Sequence, residues 1–431
     1  MMRSIQTLIL VCTVYAVLGV AQQTGGGASK RLPAPHGKYG VARIGYDWLD
    51  KSRPEPFSRV AGAHREIMVF VWYPVDRGLR KEAAEYLPGA TIIAKSTGSE
   101  SMKNFWDDAW GLVLAGKIEA DTSAAAPVAK GRERFPLIVF APGLGVPSTA
   151  YTTLIEEVVS HGYIVASIEP TYEVPAVAFP DGRVLPYSEA ATGRNQPPPP
   201  DETREKFLRR MHAFDGPHLE RWAEDIGFTV DQVTLLNHAG RKAAPFSGRV
   251  DLTNIAAWGH SFGGRAAPRA CQLDHRIEAC LNADGLGPDG PIFRYEGTSL
   301  PSQPFMWMEV FHEPPSDEQL AQYQMTRKDW DKNHQTQLTT DEQELNECPG
   351  GSYHVSINLP GIDHFSFTDK PLIDSDKKED TDDAVHALGA IESYSLAFFD
   401  RYLRHNDNHL LDEAAARPQG VALERLGPTG K

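Results

Sequence analysis

The amino-acid sequence predicts an α/β fold with a mostly parallel central sheet, helices on both faces and cap-like insertions. Continuous apolar runs, which are typical of strands buried on both faces, alternate along the chain with segments of helical periodicity. Residues 135–141, 151–160 and 163–168 form a strand-helix-strand unit. Such a unit implies two parallel strands joined by a right-handed crossover. A Gly-x-Ser-x-Gly pattern at 259–263 then marks a sharp turn from a strand into a helix.

Composition and charge restrict the class of partner. The chain has 431 residues, of which 41% are hydrophobic and 23% charged, which is enough for a large core. Its formal net charge is -14, and no basic block interrupts the acidic balance. These values exclude a nucleic-acid binder and give no attraction to an anionic membrane. A neutral or zwitterionic substrate fits better.

The N-terminal residues have the features of an export signal. Arg3 is the only charge in residues 1–21, an apolar run covers residues 7–20, and Gly19 and Ala21 are small residues near the end. This pattern predicts a secretory signal peptide in 1–21 and therefore a secreted or periplasmic protein. The alternative is a membrane anchor, for which the run is short. Residues 22–36 are rich in Gly, Ser and Pro, so we expect a flexible lead-in.

Local sequence features predict the secondary-structure elements that precede the Gly-x-Ser-x-Gly pattern. The β-branched and aromatic run at 64–74 predicts a strand. In 101–126, aromatic and aliphatic residues recur at helical spacing, which predicts a helix packed on the core; the functional alternatives are a cap over an apolar cleft or a surface that touches lipid. A Pro-Asp-Gly turn at 180–182 predicts a hairpin, a proline run at 197–200 predicts an irregular loop, and 202–237 has helical periodicity.

Further strands follow that pattern. Residues 276–283, 304–310 and 353–359 are predicted strands, and 317–347 is a predicted helical surface insertion. The acidic run 374–383 is interpreted as a solvated loop that caps a helix over 384–403. The domain is predicted to span 37–404, with insertions near 101–126, 186–215 and 313–350. We expect 405–431 to be a poorly ordered tail.

Ser261 is the predicted nucleophile. It follows an apolar strand that ends in Trp258, and Gly259 and Gly263 lie two residues to either side. A serine on such a turn has strained backbone angles and crowded neighbours, so glycine is needed at both places. Pro268 falls inside the helix that Phe262 begins, and we expect it to kink or shorten that helix.

Two further polar residues follow apolar strands and complete a triad. Asp284 is the predicted acid, with Asp289 as the alternative, and His364 is the predicted base. A serine hydroxyl needs an imidazole to take its proton, and the imidazole needs a carboxylate to orient it. The order nucleophile, acid, base predicts an α/β-hydrolase fold. The competing bases are His312, His354 and His386, whereas His260 is interpreted as a packing residue.

The predicted oxyanion hole is formed by two backbone amides. Phe262, the residue after the nucleophile, supplies one of them. The other is expected from the Pro-Gly-Leu-Gly loop at 142–145, and we choose Leu144. The alternative is that these glycines only form a turn.

The cysteine pattern favours a disulfide over a metal site. Cys271, Cys280 and Cys348 follow the predicted signal peptide. An odd number in an exported protein allows one disulfide, and we expect it between Cys271 and Cys280. No Cys/His spacing is typical of zinc, so neither a metal ion nor an organic cofactor is expected.

These blocks resemble the secreted type of platelet-activating factor acetylhydrolase. The resemblance rests on the Phe-Pro-Leu-Ile-Val-Phe-Ala-Pro-Gly-Leu-Gly run from 135, Ser-His-Gly-Tyr-Ile-Val-Ala from 160, Gly-His-Ser-Phe-Gly-Gly from 259, Asp284 and Asp-His-Phe from 363. It implies a calcium-independent serine lipase acting on short or oxidised sn-2 acyl chains, with Ser261, Asp284 and His364 as triad and Leu144 and Phe262 as oxyanion amides. The chain departs at Pro142, where the family often has His, and in the segment after Glu169.

Three functional hypotheses follow. The first is hydrolysis of lipid-like esters, with the substrate held in a membrane or lipoprotein surface. The second is a general exported esterase or polyester hydrolase, because the same blocks occur in such enzymes. The third is a non-catalytic binding module on a hydrolase scaffold, which the presence of all three triad residues disfavours.

Overall fold

The computed structural model describes residues 28–79, 82–188, 204–287, 290–292, 299–322, 325–374 and 378–428. The predicted signal peptide, the proline-rich loop and the alternative acid Asp289 lie outside these residues.

A ten-stranded sheet forms the centre of the described part of the chain. The strands in chain order are β1 (Lys30–Arg31), β2 (Gly40–Pro54), β3 (His64–Val75), β4 (Ile118–Glu119), β5 (Ser123–Ala124), β6 (Phe135–Ala141), β7 (Ile164–Glu169), β8 (Ala176–Ala178), β9 (Val184–Pro186), β10 (Val250–His260), β11 (Ile277–Ala283), β12 (Phe305–Val310), β13 (Ser352–Ile357) and β14 (Val421–Leu426). The order across the sheet is β14-β13-β12-β11-β10-β6-β7-β3-β2-β5. From β7 to β13 the neighbours pair in parallel, whereas β3 and β14 pair antiparallel with β7 and β13. The mostly parallel sheet is as predicted.

Helices cover both faces of this sheet. In chain order they are α1 (Ala90–Ile93), α2 (Ser99–Trp106), α3 (Trp110–Leu114), α4 (Thr152–Ser160), α5 (Arg204–His238), α6 (Phe262–Leu273), α7 (Asp317–Gln322), α8 (Arg327–Glu347), α9 (Lys370–Asp374) and α10 (Lys378–Leu403). Two large apolar clusters lie between these helices and the sheet. One joins α2, α4 and α10 to the sheet, and the other joins α5 and α6 to it.

The strand order places a crevice between β6 and β10. From β6 the chain crosses to β7 on one side and later returns to β10 on the other. In open α/β sheets, ligands bind outside the carboxyl ends of the strands at such a switch point. The loops after β6 and β10 contain Leu144 and Ser261, so both predicted functional segments meet there.

The apolar segment in 101–126 packs on the core. Trp106 is fully buried, Met102 is fully buried, and Trp110 and Val113 are nearly so. A 3-10 turn, Asp107–Ala109, separates α2 from α3 and keeps these side chains on the inner side. The core interpretation therefore accounts for this segment better than a surface that touches lipid.

The C-terminal segment differs from the prediction of a poorly ordered tail. Residues Val421–Leu426 form β14, which pairs with β13 along its whole length. Val421 and Leu423 are buried, whereas Ala422, Glu424 and Arg425 are exposed. The alternation is short, and it becomes a strand because β13 offers an open edge whose hydrogen-bonding groups need partners.

From residue 378 on, the acidic run is helical and not the predicted solvated loop; residues 375–377 lie outside the described residues. Helix α10 begins at Lys378 instead of 384, so Glu379 and Asp380 lie in its first turn. Negative side chains are favourable there because they face the positive end of the helix dipole.

The predicted flexible lead-in, residues 22–36, is ordered in part. Lys30–Arg31 pairs with β4, and Leu32 is buried.

Pro268 does not shorten its helix as we expected. Helix α6 continues to Leu273, five residues beyond the proline. Pro268 is buried, as is most of this helix, so tertiary packing offsets the missing backbone hydrogen bond.

The cysteine pairing is visible in the same region. Cys271 near the end of α6 and Cys280 in β11 form a disulfide with an S–S distance of 2.03 Å. Cys348 is buried, and its thiol lies 3.6 Å from the carbonyl oxygen of Pro301. Among the described residues, no helix is both long and apolar enough to cross a bilayer.

Two adjacent glutamates on α4 predict opposite effects of pH on stability. Burial raises the pKa of Glu156 to about 8, against a hydrogen bond from Thr122 that lowers it. The folded state therefore keeps a proton that the unfolded state has lost above its pKa of about 4.3. We expect the free energy of unfolding of wild type to fall relative to Glu156→Gln by about 1.4 kcal/mol per pH unit between about pH 5 and pH 8. Urea unfolding across this range measures the difference.

Glu157→Gln is the matched control. Burial opposes ionisation of Glu157, but hydrogen bonds from His161 and His36 outweigh burial and lower its pKa. Its ionised form therefore stabilises the fold above the unfolded pKa, and this contribution is lost as pH falls. Glu157→Gln should be less stable than wild type at neutral pH, with a deficit that shrinks on acidification. If the stability difference from wild type changed with pH in the same direction for both variants, the opposite pKa shifts assigned to Glu156 and Glu157 would be contradicted.

Candidate active site

Ser261 lies on a strained turn between β10 and α6. Its φ of 55° and ψ of -119° are rare for a residue with a side chain. A Cβ on Gly259 would lie 2.1 Å from the carbonyl oxygen of Gly263, and one on Gly263 would lie 2.2 Å from that of Ala141. The two glycines therefore allow the turn to close against the end of β6, as the motif predicts.

Asp284 follows β11 and is completely removed from solvent at its side chain. Its Oδ2 accepts a hydrogen bond from His364 Nδ1 at 2.5 Å. Its Oδ1 accepts from His312 Nε2 at 3.0 Å and from the amide of Val310 at 3.1 Å. Burial alone would raise the pKa of Asp284, but the two histidines outweigh burial and hold it well below its usual range. Asp284 is therefore a carboxylate at any pH relevant to an assay.

His364 begins a 3-10 turn, His364–Phe367, after β13. Asp363 and Ser366 form a reciprocal capping box around that turn. The ring of His364 lies 4.5 Å from the ring of His260, the residue before Ser261. The amide of Ser261 donates to the carbonyl of Ala283 at 2.8 Å, directly before Asp284. The structure thus brings the three predicted triad segments together at one sheet edge.

The loop after β6 has one unused amide. The amide of Gly143 donates to the Tyr151 hydroxyl at 2.9 Å, and that of Gly145 donates to the carbonyl of Glu173 at 2.9 Å. Between them, the amide of Leu144 has no hydrogen-bond acceptor among the described residues. A Cβ on Gly143 would lie 3.3 Å from Ser261 Cβ, so this loop borders the nucleophile. An unused amide here suits a developing oxyanion, as does the amide of Phe262 at the start of α6.

Tyr151 links the oxyanion loop to the histidine beside the nucleophile. Its buried hydroxyl accepts from the amide of Gly143 and lies 2.7 Å from His260 Nδ1. Burial, with a contribution from His364, lowers the pKa of His260 well below its ordinary value, so the ring is neutral. The hydroxyl proton can then be donated to Nδ1, which leaves the His260 proton on Nε2. Sequence reasoning missed Tyr151, because a tyrosine at the start of a predicted helix gives no local signal of this contact.

A buried cluster of charged side chains fixes the segment that is hydrogen-bonded to the oxyanion loop. Arg65 donates to Asp225 on α5 at 2.6 Å and to Glu55 at 2.8 Å. The carboxylate of Glu173 lies 3.6 Å from Arg65 and hydrogen-bonds to His218 Nδ1 at 2.5 Å. The carbonyl of Glu173 in turn holds Gly145. The segment after Glu169 is therefore fixed by helix α5 and in turn positions the Leu144 amide.

Asp369 connects the turn that contains His364 to helix α4. Its carboxylate accepts from the amides of Thr152 and Thr153 at 3.0 Å each and from the Tyr86 hydroxyl at 2.7 Å. Its own amide donates to the carbonyl of Ala150. Burial raises its pKa to about 6. Asp369 therefore links the turn that contains His364 to the short segment between the oxyanion loop and helix α4.

The alternative bases have other partners. His354 bonds to Glu309 at 2.9 Å and stacks on Trp307, and His386 is exposed on α10. His312 also binds the carboxylate of Asp284, but through Oδ1, whereas His364 binds Oδ2. Among these candidates, His364 is the one whose ring also packs beside the residue before Ser261.

One group in the site also has the composition of a metal centre. Ligand atoms of His260, Asp284 and His364 all lie within 4.8 Å of one another. Asp284 already accepts from two imidazoles, and His260 Nδ1 already pairs with Tyr151. Each of these contacts is accounted for by hydrogen bonding, which is the arrangement that acid-base chemistry needs.

Part of the chain is similar to a known protein family. Residues 29–178 match the family model described as platelet-activating factor acetylhydrolase, isoform II. The chain is related to the platelet-activating factor acetylhydrolases. This confirms the resemblance drawn from the sequence blocks.

Two relatives carry similar names. A probable 1-alkyl-2-acetylglycerophosphocholine esterase from Arthroderma benhamiae is 25% identical over 303 residues, which is 66% of this chain and 67% of that protein. A platelet-activating factor acetylhydrolase from Cavia porcellus is 25% identical over 186 residues, 40% of this chain and 39% of that protein. The family and these names support an activity class, that of the carboxylic-ester hydrolases.

A solved structure supports the fold. A ferulic acid esterase from Streptomyces cinnamoneus superposes with a TM-score of 0.61, at 24% identity, covering 92% of this chain and 99% of that one. At this identity the likeness concerns the fold alone. It confirms the predicted α/β-hydrolase fold.

Tyr151→Phe tests the link between the oxyanion loop and His260. The variant removes only the hydroxyl, so the amide of Gly143 and Nδ1 of His260 each lose a buried partner. We expect kcat for p-nitrophenyl acetate to fall by about tenfold or more, because the oxyanion loop loses a hydrogen bond that holds it beside Ser261. Tyr163→Phe, which removes a hydroxyl bonded to Asp400 on α10, is the matched control. Equal kcat values for Tyr151→Phe and wild type would contradict the proposed link.

Proposed function

We propose that this ester hydrolase is a serine enzyme that removes short or oxidised sn-2 acyl chains from phospholipids through an acyl-enzyme. The observation that carries the proposal is the hydrogen bond between Asp284 and His364 at the edge where Ser261 stands on its strained turn. The unused amide of Leu144 beside that turn supplies the complementary electrostatic element.

The proposed reaction proceeds in two halves. Ser261 Oγ attacks the ester carbonyl while His364 takes the hydroxyl proton, and Asp284 stabilises the resulting imidazolium. The amides of Leu144 and Phe262 bind the oxyanion of the tetrahedral intermediate. His364 then returns the proton to the leaving alcohol, and an acyl-Ser261 ester remains. Water, activated by His364, cleaves that ester in the second half. All of these steps use protein groups, so we propose calcium-independent turnover.

The substrate assignment rests on the family and on charge. One relative is named as an esterase of 1-alkyl-2-acetylglycerophosphocholine and the other as a platelet-activating factor acetylhydrolase. A zwitterionic choline headgroup is compatible with a chain of net charge -14. We further propose that the protein is exported and meets its substrate in a membrane or lipoprotein surface. The predicted signal peptide supports export.

A second candidate is a general exported esterase. The family match covers 29–178, which includes the oxyanion loop but none of Ser261, Asp284 and His364. Pro142 and the segment after Glu169, where the chain departs from the family pattern, both border the crevice. Tyr172 in that segment has a φ of 72°, an uncommon conformation beside the site. Substrate choice therefore depends on loops that the family does not determine.

Ser261→Ala tests the nucleophile. We expect ester hydrolysis to fall by about 10⁴-fold or more, because removal of a triad nucleophile leaves only binding and the oxyanion hole. Ser393→Ala, at an exposed serine on α10, is the matched control and should retain full activity. Fluorophosphonate labelling followed by peptide mapping should place the label on Ser261. Near-normal turnover by Ser261→Ala would rule out the mechanism, and failure of wild type to label would favour a non-catalytic binding module.

Substrate class is tested with a chain-length series. Turnover of p-nitrophenyl esters of increasing acyl length is compared with that of a phosphatidylcholine carrying an sn-2 acetyl group, with and without a calcium chelator. Phospholipid turnover that survives chelation is the expected result. High activity on soluble esters without phospholipid turnover would favour the general esterase.

A further inference from the structure

The carboxylate of Asp284 has a second histidine partner that the proposed reaction does not use. His312 lies two residues beyond the end of β12, and its Nε2 donates to Oδ1 at 3.0 Å. The amide of Val310 donates to the same oxygen at 3.1 Å. Together they occupy Oδ1 and leave Oδ2 to His364, so the carboxylate cannot turn without losing hydrogen bonds.

His312 is more exposed to solvent than Asp284 and His364. Its side chain is 40% exposed, whereas that of Asp284 is 0% exposed and that of His364 is 15% exposed. A proton can therefore exchange between His312 and water while the carboxylate stays dry. The rings of His312 and His364 lie 6.1 Å apart, so a charge on one acts on the other.

The surroundings favour a protonated His312. Burial lowers its pKa, but Asp284 outweighs burial, and Glu309 and Asp363 act in the same direction, so the net shift is upward. Glu309 lies on β12 and is itself bonded to His354 of β13, and Asp363 caps the turn that begins with His364. Asp284, His364 and His260 also act on His312 from the strand ends packed around it.

We propose that His312 is a positioning residue whose protonated imidazole shares the Asp284 carboxylate with His364 and extends the activity of the site to lower pH. The inference rests on the proposed serine-hydrolase function. A positive charge near His364 makes its protonation less favourable, and His364 acts as a base only while it is unprotonated. The effect therefore concerns the acid limb of the pH profile, where His312 is protonated.

Two variants separate the charge of His312 from its hydrogen bond. His312→Gln keeps a donor and loses the charge, whereas His312→Lys keeps both. We expect the acid limb of kcat/KM for His312→Gln to move to higher pH by about 0.5–2 pH units, the range for a unit charge about 6 Å away. His312→Lys should stay close to wild type. At high pH, where wild-type His312 is neutral, His312→Gln should remain within about threefold of wild type.

His275→Gln is the matched control. His275 is exposed just before β11, at the sheet edge opposite the site, and its loss should not move the profile. Circular dichroism verifies the fold of each variant, and His312→Asn replaces His312→Gln if the latter does not fold. The inference is overturned if wild type is active and the acid limb of His312→Gln coincides with that of wild type. It is also overturned if His312→Lys moves the acid limb as far as His312→Gln does.

The rate of fluorophosphonate labelling of Ser261 is measured over the same pH range. Labelling needs the nucleophile and its base but not an ester substrate, so it separates the two proposals. If wild type labels but hydrolyses none of the esters, the proposed substrate fails and the labelling profiles alone decide the role of His312. If wild type does not label at all, both the proposed function and this inference are overturned.

Discussion

The close approach of the turn at Ser261 to the end of β6 is the constraint on which the site depends. Neither Gly259 nor Gly263 has room for a side chain, because an added carbon would lie about 2 Å from backbone oxygen atoms. The amide of Gly263 donates to the carbonyl of Pro142 at 3.1 Å, which holds the two loops together. The distance between the nucleophile and the Leu144 amide is therefore set by backbone packing and not by flexible side chains. A site of this kind is preorganised for a charge that develops only in the transition state.

Burial of Asp284 imposes a second requirement. Removing a carboxylate from water is costly unless its oxygens are hydrogen-bonded, and a cationic partner favours its charged form. Here the carboxylate accepts from two imidazoles and one amide, which come from the ends of β12 and β13. The parallel strands deliver these donors to one edge, so the sheet topology itself satisfies the buried charge.

Much of the candidate site could be predicted from the sequence because each of its principal residues has a local signal. Ser261 is flanked by glycines, and Asp284 and His364 each follow an apolar strand. Tyr151 and His312 have no such signal. Tyr151 lies directly before α4 and meets His260 across 109 positions of the chain, and His312 meets Asp284 across 28. Contacts of this kind depend on which strand ends are adjacent, and that is a property of the assembled sheet.

The sequence by itself determined the alternation of strands and helices, the strained turn at Ser261 and the order of the triad residues. Each of these follows from local sterics and hydrophobic period. Only the tertiary structure decided the fate of segments with weak local preference. Val421–Leu426 becomes a strand because β13 has an open edge, and helix α6 continues through Pro268 because its surface is buried. Where the local preference is small, the free energy of packing and pairing with distant residues exceeds it, and the surroundings choose the conformation.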